Sequence, residues 1–326
     1  QMKATIIVPV YNVEKYLSRC LDSLVHQTIS DYEILCVNDC SPDNSDLILS
    51  EYQEKYPSRI RVLNNECNLG LGRTRERALK HVCSEYVFFV DSDDYVAPDY
   101  IETYLQAAED GDYDIIAGGF IRDIDGKLKR HRISNSVWST TTYAIAWAKL
   151  FKKSFIEENK LGFTGVPCGE DIYFSLCAFY CNAKVKIIPY EGYYYYFNRQ
   201  SITGSMSYKK NHEQIMAEMF DLFLESHDLS KLPKSRFDVI EYTYLANMIN
   251  ALVVFNRGCG PELMKSKYDL VFSHARKHFP NYLKNPHIGI LKPKGQTLKI
   301  RLGVGVLLGL QKFHLDWPAY YIISKL

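Results

Sequence analysis

An α/β fold with a mostly parallel sheet, followed by a helical C-terminal region, is what this sequence predicts. Three observations carry it. Strand-like and helix-like segments alternate over roughly the first 200 residues, the strand-like ones are unbroken apolar runs, and from about residue 205 only helix-forming composition remains. Such alternation places helices on both faces of a parallel sheet, and strands buried on both faces read as continuous apolar runs.

The first strand is ATIIVPV (residues 4–10), apolar and rich in β-branched residues. VEKYLSRCLDSLVHQT follows, with Tyr16, Leu17, Cys20, Leu21, Leu24 and Val25 at helical spacing. EILCVND (33–39) is a second strand, SDLILSEYQEKY a second helix, RIRVLNN a third strand, TRERALKHVC a third helix and YVFFVD a fourth strand. Sheets of this kind bind ligands beyond the carboxyl ends of their strands. Polar residues collect there: Tyr11 and Asn12, Asp39, Asn64 and Asn65, then Asp91 and Asp93. A helix through IETYLQAAED, a strand over YDIIAGGFIRDI and a basic turn at DGKLKRHR come next. Residues 141–160 around AIAWAKLF read as helix, EDIYFSLCAFYC as another, and KVKIIPYEGYYYYF as two edge strands. HEQIMAEMFDLFLES and DVIEYTYLANMINALVVF open the helical region, so the chain divides into 1–205 and 206–326.

Hydrophobic residues make up 47% and charged residues 24%, the balance of an ordinary globular chain with a packed core. A formal net charge of +1 gives no global attraction to nucleic acid. Nine cysteines, an odd number with no paired CxxC spacing, read as reduced thiols of a cytoplasmic protein. MKATIIVPVYN is too short for a signal-peptide core, and no stretch approaches the about 20 apolar residues of a membrane span. In KPKGQTLKIRLGVGVLLGLQKF, Lys292, Lys294, Lys299, Arg301 and Lys312 flank a short apolar run. A helix lying peripherally on the anionic cytoplasmic face of the inner membrane suits this pattern, and so does packing against the first domain. Homodimerisation is the other role open to region 206–326.

FFVDSDD (88–94) runs three apolar side chains into Asp91, Ser92, Asp93 and Asp94. Carboxylates this close repel one another and cost desolvation unless a positive charge joins them. Hard divalent cations, Mg²⁺ or Mn²⁺, take one or two carboxylates plus substrate phosphates. A solvated acidic turn capping the next helix explains the same residues without a ligand.

The company this stretch keeps is more specific. TIIVPVYNVEKYL, YEILCVNDCSPDNS, NECNLGLGRTRERAL, FFVDSDDYV and GEDIYF occur in that order over about residues 3–205. Together they resemble the family 2 glycosyltransferases of the GT-A fold. The resemblance implies a Rossmann-like sheet and the following roles. Pro9, Tyr11 and Glu14 match the motif that cradles the nucleotide, and Asp39 the acid that accepts from the uracil ring N–H. Asn68 and Arg75 match the asparagine-glycine-arginine segment near the nucleotide. Asp91, Ser92 and Asp93 match the DxD motif, with Asp93 the direct ligand of Mn²⁺ or Mg²⁺. Glu170 and Asp171 match the acceptor-side acids, Asp171 as catalytic base, and the pair can cap the helix N-terminus at the same time. Trp147 is an acceptor-side stacking platform or a core residue, and Arg199 closes over the diphosphate or lies on the surface.

The sequence also departs from the family. Members usually carry an acid at Asn38, a glycine at Cys40, a small residue at Arg73 and an asparagine at Glu76. The resemblance implies an inverting, metal-dependent enzyme that moves a sugar from a nucleoside-diphosphate sugar, UDP-linked, to a glycan or lipid-linked acceptor in surface polysaccharide synthesis. A catalytically silent sugar-nucleotide or glycan binding module is the alternative; retention of Asp91, Asp93 and Asp171 together argues against it. A nucleotidyltransferase would want a glycine-rich phosphate loop after the first strand, where YNVEKYL stands.

Overall fold

The computed structural model describes residues 2–197 and 207–326. They form two compact units, one of residues 2–135 and 143–197, the other of residues 136–142 and 207–326.

The first unit opens with β1 (Ala4–Val10), α1 (Glu14–Val25), β2 (Tyr32–Asn38), α2 (Ser45–Lys55), β3 (Ile60–Asn64), α3 (Leu71–Leu79) and β4 (Tyr86–Phe89). All seven residues of β1 are buried, as expected of an apolar run at the centre of a sheet. β1 pairs in parallel with β2 on one side and β4 on the other. Pro9, which lacks an N–H, sits beyond the last β4 pairing, Ile7 with Phe89, so no ladder bond is lost on that side. α1 buries Leu17, Cys20, Leu21 and Leu24, the stripe its spacing predicts.

The chain continues through β5 (Tyr95–Val96), α4 (Tyr100–Glu109), β6 (Ile115–Ala117), β7 (Phe120–Ile124), β8 (Lys127–His131), α5 (Ser139–Thr142, part of the second unit), β9 (Lys149–Lys152), α6 (Lys153–Glu158), α7 (Glu170–Tyr180), β10 (Val185–Ile187) and β11 (Tyr193–Tyr196). Seven strands make the main sheet in the order β10-β6-β9-β4-β1-β2-β3, and β5-β11-β7-β8 make a second. The main sheet is parallel except for β9, which runs antiparallel to both its neighbours.

Four expectations are corrected here. KLFK, read as helix, is strand β9, because pairing to β4 and β6 buries Lys149, Leu150 and Phe151 and overrides local propensity. YDIIAGGFIRDI is two strands in two sheets. It breaks at Gly118 and Gly119, where a Cβ would meet Tyr104 Oη at 2.4 Å and the His131 carbonyl at 2.4 Å. The basic turn is a hairpin: Asp125 and Gly126, φ 51° and 82°, make a two-residue turn with both residues left-handed, and β8 leaves it as an exposed strand. Finally, β11 lies between β5 and β7 and is not an edge.

The second unit is helical: α8 (His212–Ser226), α9 (Lys234–Phe255), α10 (Pro261–His278), α11 (Leu298–Gln311) and α12 (Trp317–Ile323). α9 buries residues around most of its girth, Tyr242, Tyr244, Leu245, Met248, Ile249 and Leu252 among them, which marks it as the central helix. Among the described residues no helix is long and apolar enough to cross a membrane.

Candidate active site

The site lies where β1, β2, β3 and β4 end. Its centre is Arg75 of α3, whose side chain is fully buried. Arg75 Nη1 donates to Asp171 Oδ1 at 2.6 Å and Glu170 Oε1 at 3.3 Å, and Nη2 donates to Asp91 Oδ1 at 2.6 Å. Burial works against the guanidinium charge, but Asp171, Asp91 and Glu170 outweigh it and raise its pKa. The carboxylates feel the opposite balance. Burial, then Asp171, push Glu170 up to about 7. Burial also raises Asp91, against the pull of Arg75. One cation therefore serves three acids drawn from positions 91, 170 and 171.

The three aspartates of the loop after β4 have different fates. Asp91 is ion-paired to Arg75. Asp94 is fully buried: its Oδ2 accepts from Tyr193 Oη at 2.6 Å and its Oδ1 from Tyr196 N at 2.7 Å. Tyr193 Oη also accepts from Asp91 N–H at 3.1 Å, so β11 fixes both ends of the turn. Asp93 is half-buried, and its carbonyl accepts from Arg19 Nη2 at 2.8 Å. Ser92 is buried. Asp94 carried no assigned role in the sequence, whereas alternation along YYYY leads one to expect two tyrosines packed inward and two facing a sugar or lipid acceptor; Tyr193 is buried.

At the end of β2, Asp39 Oδ1 accepts from Asn65 Nδ2 at 2.6 Å and Leu69 N at 2.8 Å, and Oδ2 accepts from Gly70 N at 2.9 Å. Three of its about four acceptor positions are thus occupied. Asn68 Oδ1 accepts from the same Gly70 N–H at 2.9 Å. Glu14 Oε2 accepts from Asn44 N and Nδ2, at 2.9 and 2.8 Å. Tyr11 is 46% exposed, and Pro9 is buried in β1. Asn38, where the resemblance leads one to expect an acid, donates to Asp46 Oδ1 and Asn64 Oδ1 at 3.1 Å each, bonds a carboxylate in that place could not donate. Cys40, where the resemblance leads one to expect glycine, takes a left-handed φ of 56°.

α3 also holds the loop that leads into α7. A Cβ on Gly72 would come within 2.0 Å of the Thr164 carbonyl, Arg73 lies against Gly165, and Glu76 Oε2 accepts from Phe163 N at 3.0 Å. Two of the departures, Arg73 and Glu76, therefore act on one loop. Gly169, at φ 91°, turns the chain into α7, whose first turn is Glu170 and Asp171, a favourable place for acids. Asp171 Oδ2 accepts from Ala146 N at 3.2 Å. The turn carrying that N–H is held by Lys149, whose Nζ donates to the Tyr143 and Ile145 carbonyls at 2.7 and 2.6 Å. Lys149 is buried, which pulls its pKa down to about 7; its role had no signal beyond the WAKLF run. Trp147 is 6% exposed, stacks on Tyr193 and Tyr195 at 4.6 and 5.3 Å, and meets Phe120 edge-on. The structure gives it core packing. Arg199 lies outside the described residues.

The glycosyl transferase family 2 model matches residues 5–168. The poly(ribitol-phosphate) beta-glucosyltransferase of Bacillus spizizenii is 34% identical over 217 residues, 64% of this chain and 34% of that protein. Of the first curated relatives it matches, the chain spans between 33% and 64% of their length. The crystal structure of S. aureus TarS 1-349 in complex with UDP-GlcNAc superposes with a TM-score of 0.70 at 19% identity, over 99% of this chain and 90% of that one. Mannosyltransferase PcManGT from Pyrobaculum calidifontis, in complex with GDP-Man and Mn2+, gives 0.56 at 16% identity, over 99% and 85%. At such identities the likeness establishes the fold, GT-A, as the sequence predicted. With the family match covering half of the chain, the protein belongs to glycosyl transferase family 2.

Proposed function

We propose that the protein is an inverting glycosyltransferase that moves a sugar from a nucleoside-diphosphate sugar, UDP-linked, to a hydroxyl of a glycan or lipid-linked acceptor in teichoic acid or other surface polysaccharide synthesis. The observation that carries this reading is the Arg75 cluster, in which one guanidinium ties Asp91 of the donor motif to Glu170 and Asp171 on the acceptor side. The donors bound by TarS and PcManGT support the substrate class.

In the reaction, Asp171 takes the proton of the acceptor hydroxyl and that oxygen bonds to the anomeric carbon. The bond from that carbon to the diphosphate oxygen breaks, its electron pair leaving with the nucleotide. A single displacement with no protein nucleophile inverts the configuration. Arg75 Nη1 and the Ala146 N–H aim the Asp171 carboxylate. Tyr11 offers an exposed ring to the base, and the last acceptor position of Asp39 suits its imide N–H. Asp93, with Asp91 beside it, has the oxygen donors that Mn²⁺ or Mg²⁺ takes, and three acids around one guanidinium favour a further positive charge. Asp93 and Asp91 would hold such an ion, and its charge would offset that of the departing diphosphate.

The test is calorimetric titration of UDP with and without Mn²⁺, on the wild type and Asp93→Ala, followed by UDP release from UDP-GlcNAc and UDP-glucose with poly(ribitol phosphate) or lipid-linked acceptors. Metal-dependent binding lost in Asp93→Ala is expected, with turnover lowered roughly 100-fold to 10,000-fold in Asp171→Asn. A folded protein that binds no UDP in either condition overturns the UDP-sugar assignment. The second unit extends the reading to the membrane. Leu298, Leu302 and Val306 form an exposed apolar row on α11, with Lys292, Lys294 and Lys299 exposed nearby, a pattern that suits an anionic bilayer. Loss of vesicle co-sedimentation in Leu302→Glu checks it.

A further inference from the structure

In the helical unit, one cluster has metal-ligand chemistry that its hydrogen bonds do not explain. His274 and His278 stand four apart on α10, which puts both imidazoles on one face of the helix; their ring centroids are 4.5 Å apart. Asp221 of α8 meets them, its Oδ1 3.2 Å from His274 Nε2 and 2.8 Å from His278 Nε2. Those separations are within hydrogen-bonding range. Both Nε2 atoms are buried and neither makes a hydrogen bond of good geometry. Two nitrogens and an oxygen that converge in this way have the arrangement of ligands around a shared centre.

The distances agree with that. The three ligand atoms lie within 4.8 Å of one another. Metal bonds of about 2.0–2.1 Å in a tetrahedral site set ligand atoms about 3.3 Å apart, and the two measured His-to-Asp separations already approach this. The other nitrogen of His274, Nδ1, is 2.7 Å from Tyr244 Oη of α9, the kind of outer contact that fixes a ligating imidazole's tautomer and orientation. Lys277 Nζ, the other cation near Asp221 Oδ1 at 3.8 Å, has a side chain 68% exposed, so it can move aside without losing a buried contact.

We propose that Asp221, His274 and His278 bind a divalent transition-metal ion of the zinc class, with the remaining position open to water or another donor. Two imidazoles select this class over Mg²⁺ or Ca²⁺, so the site differs in chemistry from the carboxylates at Asp93. The ion would tie α8 to α10 and stabilise the helical unit by mass action.

The experiment uses the full chain, stripped with chelator and titrated with Co²⁺ while its visible ligand-field bands are followed, then displaced with Zn²⁺. Wild type and Asp93→Ala are expected to give the same nitrogen- and oxygen-ligated tetrahedral spectrum at one ion per chain. His278→Ala and Asp221→Asn lose it, and Tyr244→Phe weakens binding roughly 10-fold to 100-fold. Zinc should raise the melting temperature of the wild type and leave that of His278→Ala unchanged. Circular dichroism in chelator checks that the variants fold, with His278→Gln used in place of an unfolded alanine variant. Co²⁺ bands that persist in the His278 variant, thiolate charge-transfer bands that assign the ion to cysteine, or no binding by the stripped wild type would each overturn the proposal.

Discussion

Carboxylates at the strand ends are held in two contrasting ways. Asp39 is surrounded by uncharged donors, the Asn65 amide and the N–H groups of Leu69 and Gly70, each acting on one oxygen. Asp91, Glu170 and Asp171 instead share the guanidinium of Arg75. In the first arrangement the acid is supported by the fold of its own turn. In the second, two segments distant in sequence depend on one side chain, and burial, then Asp171, push Glu170 up to about 7. Rigid support suits a residue that shapes a turn; a shared cation suits a centre where charge is to be rearranged.

Removing the shared cation should give the largest effect. Arg75→Met leaves three acids buried together and uncompensated, and breaking such a network costs about 3–5 kcal/mol, read as a lower urea midpoint. Activity should vanish with it, since Asp91 and Asp171 lose their common anchor. Arg75→Lys keeps the charge but not the fork that reaches both sides, and should fall between. A loss under about 1 kcal/mol in Arg75→Met would mean that the cluster is held by something other than this residue.

A pH series separates the members of the cluster. The Glu170 carboxyl titrates near its ordinary 4.5 when unfolded and near 7 when folded. Between those values the folded state holds the extra proton, so stability is full below about 4.5 and falls as pH rises through 7. Glu170→Gln removes that slope, an effect on the order of 1–3 kcal/mol across the window, measurable as melting temperature against pH. An identical slope in the variant would assign the titration elsewhere.

Much of this was legible in the sequence. Apolar runs and helical spacing located β1 to β4 and their helices, and ordered motifs brought Asp39, Asp91 and Glu170–Asp171 to one edge. What escaped was set by contacts between distant positions. KLFK carries no local sign that two strands will bury it, and GG reads as a strand interior until Tyr104 and His131 close on it. Arg75 was expected near the nucleotide, and the bonds its guanidinium makes to acids 16 to 96 residues away had no local signal. Asp94 and Lys149 are silent for the same reason, since their roles depend on Tyr193, Tyr196 and the 143–146 turn.

The contrast sharpens at Asp39. Asp39→Asn replaces an acceptor of three bonds with a side chain that must point an amide N–H₂ at some of the same donors. The expected loss is about 1–3 kcal/mol, below that of Arg75→Met, because the turn retains its backbone bonds and no charge is stranded. Equal losses in the two variants would erase the distinction between the arrangements.

The smallest effect tests whether the Asp39 turn is itself under strain. Both strand ends that flank it bend through left-handed residues, Asn12 at φ 55° and Cys40 at φ 56°. Asparagine tolerates that region, whereas another side chain costs roughly 1–2 kcal/mol there. Cys40 is exposed, so Cys40→Gly gives up little packing, and it relieves the strain against the greater freedom of glycine in the unfolded chain. The net should be a gain of about 0.5–1 kcal/mol, with Asn12→Gly close to neutral. If Cys40→Gly instead destabilises, the thiol side chain supports the turn in a way its exposure conceals, and Asp39 owes its position to more than the N–H groups around it.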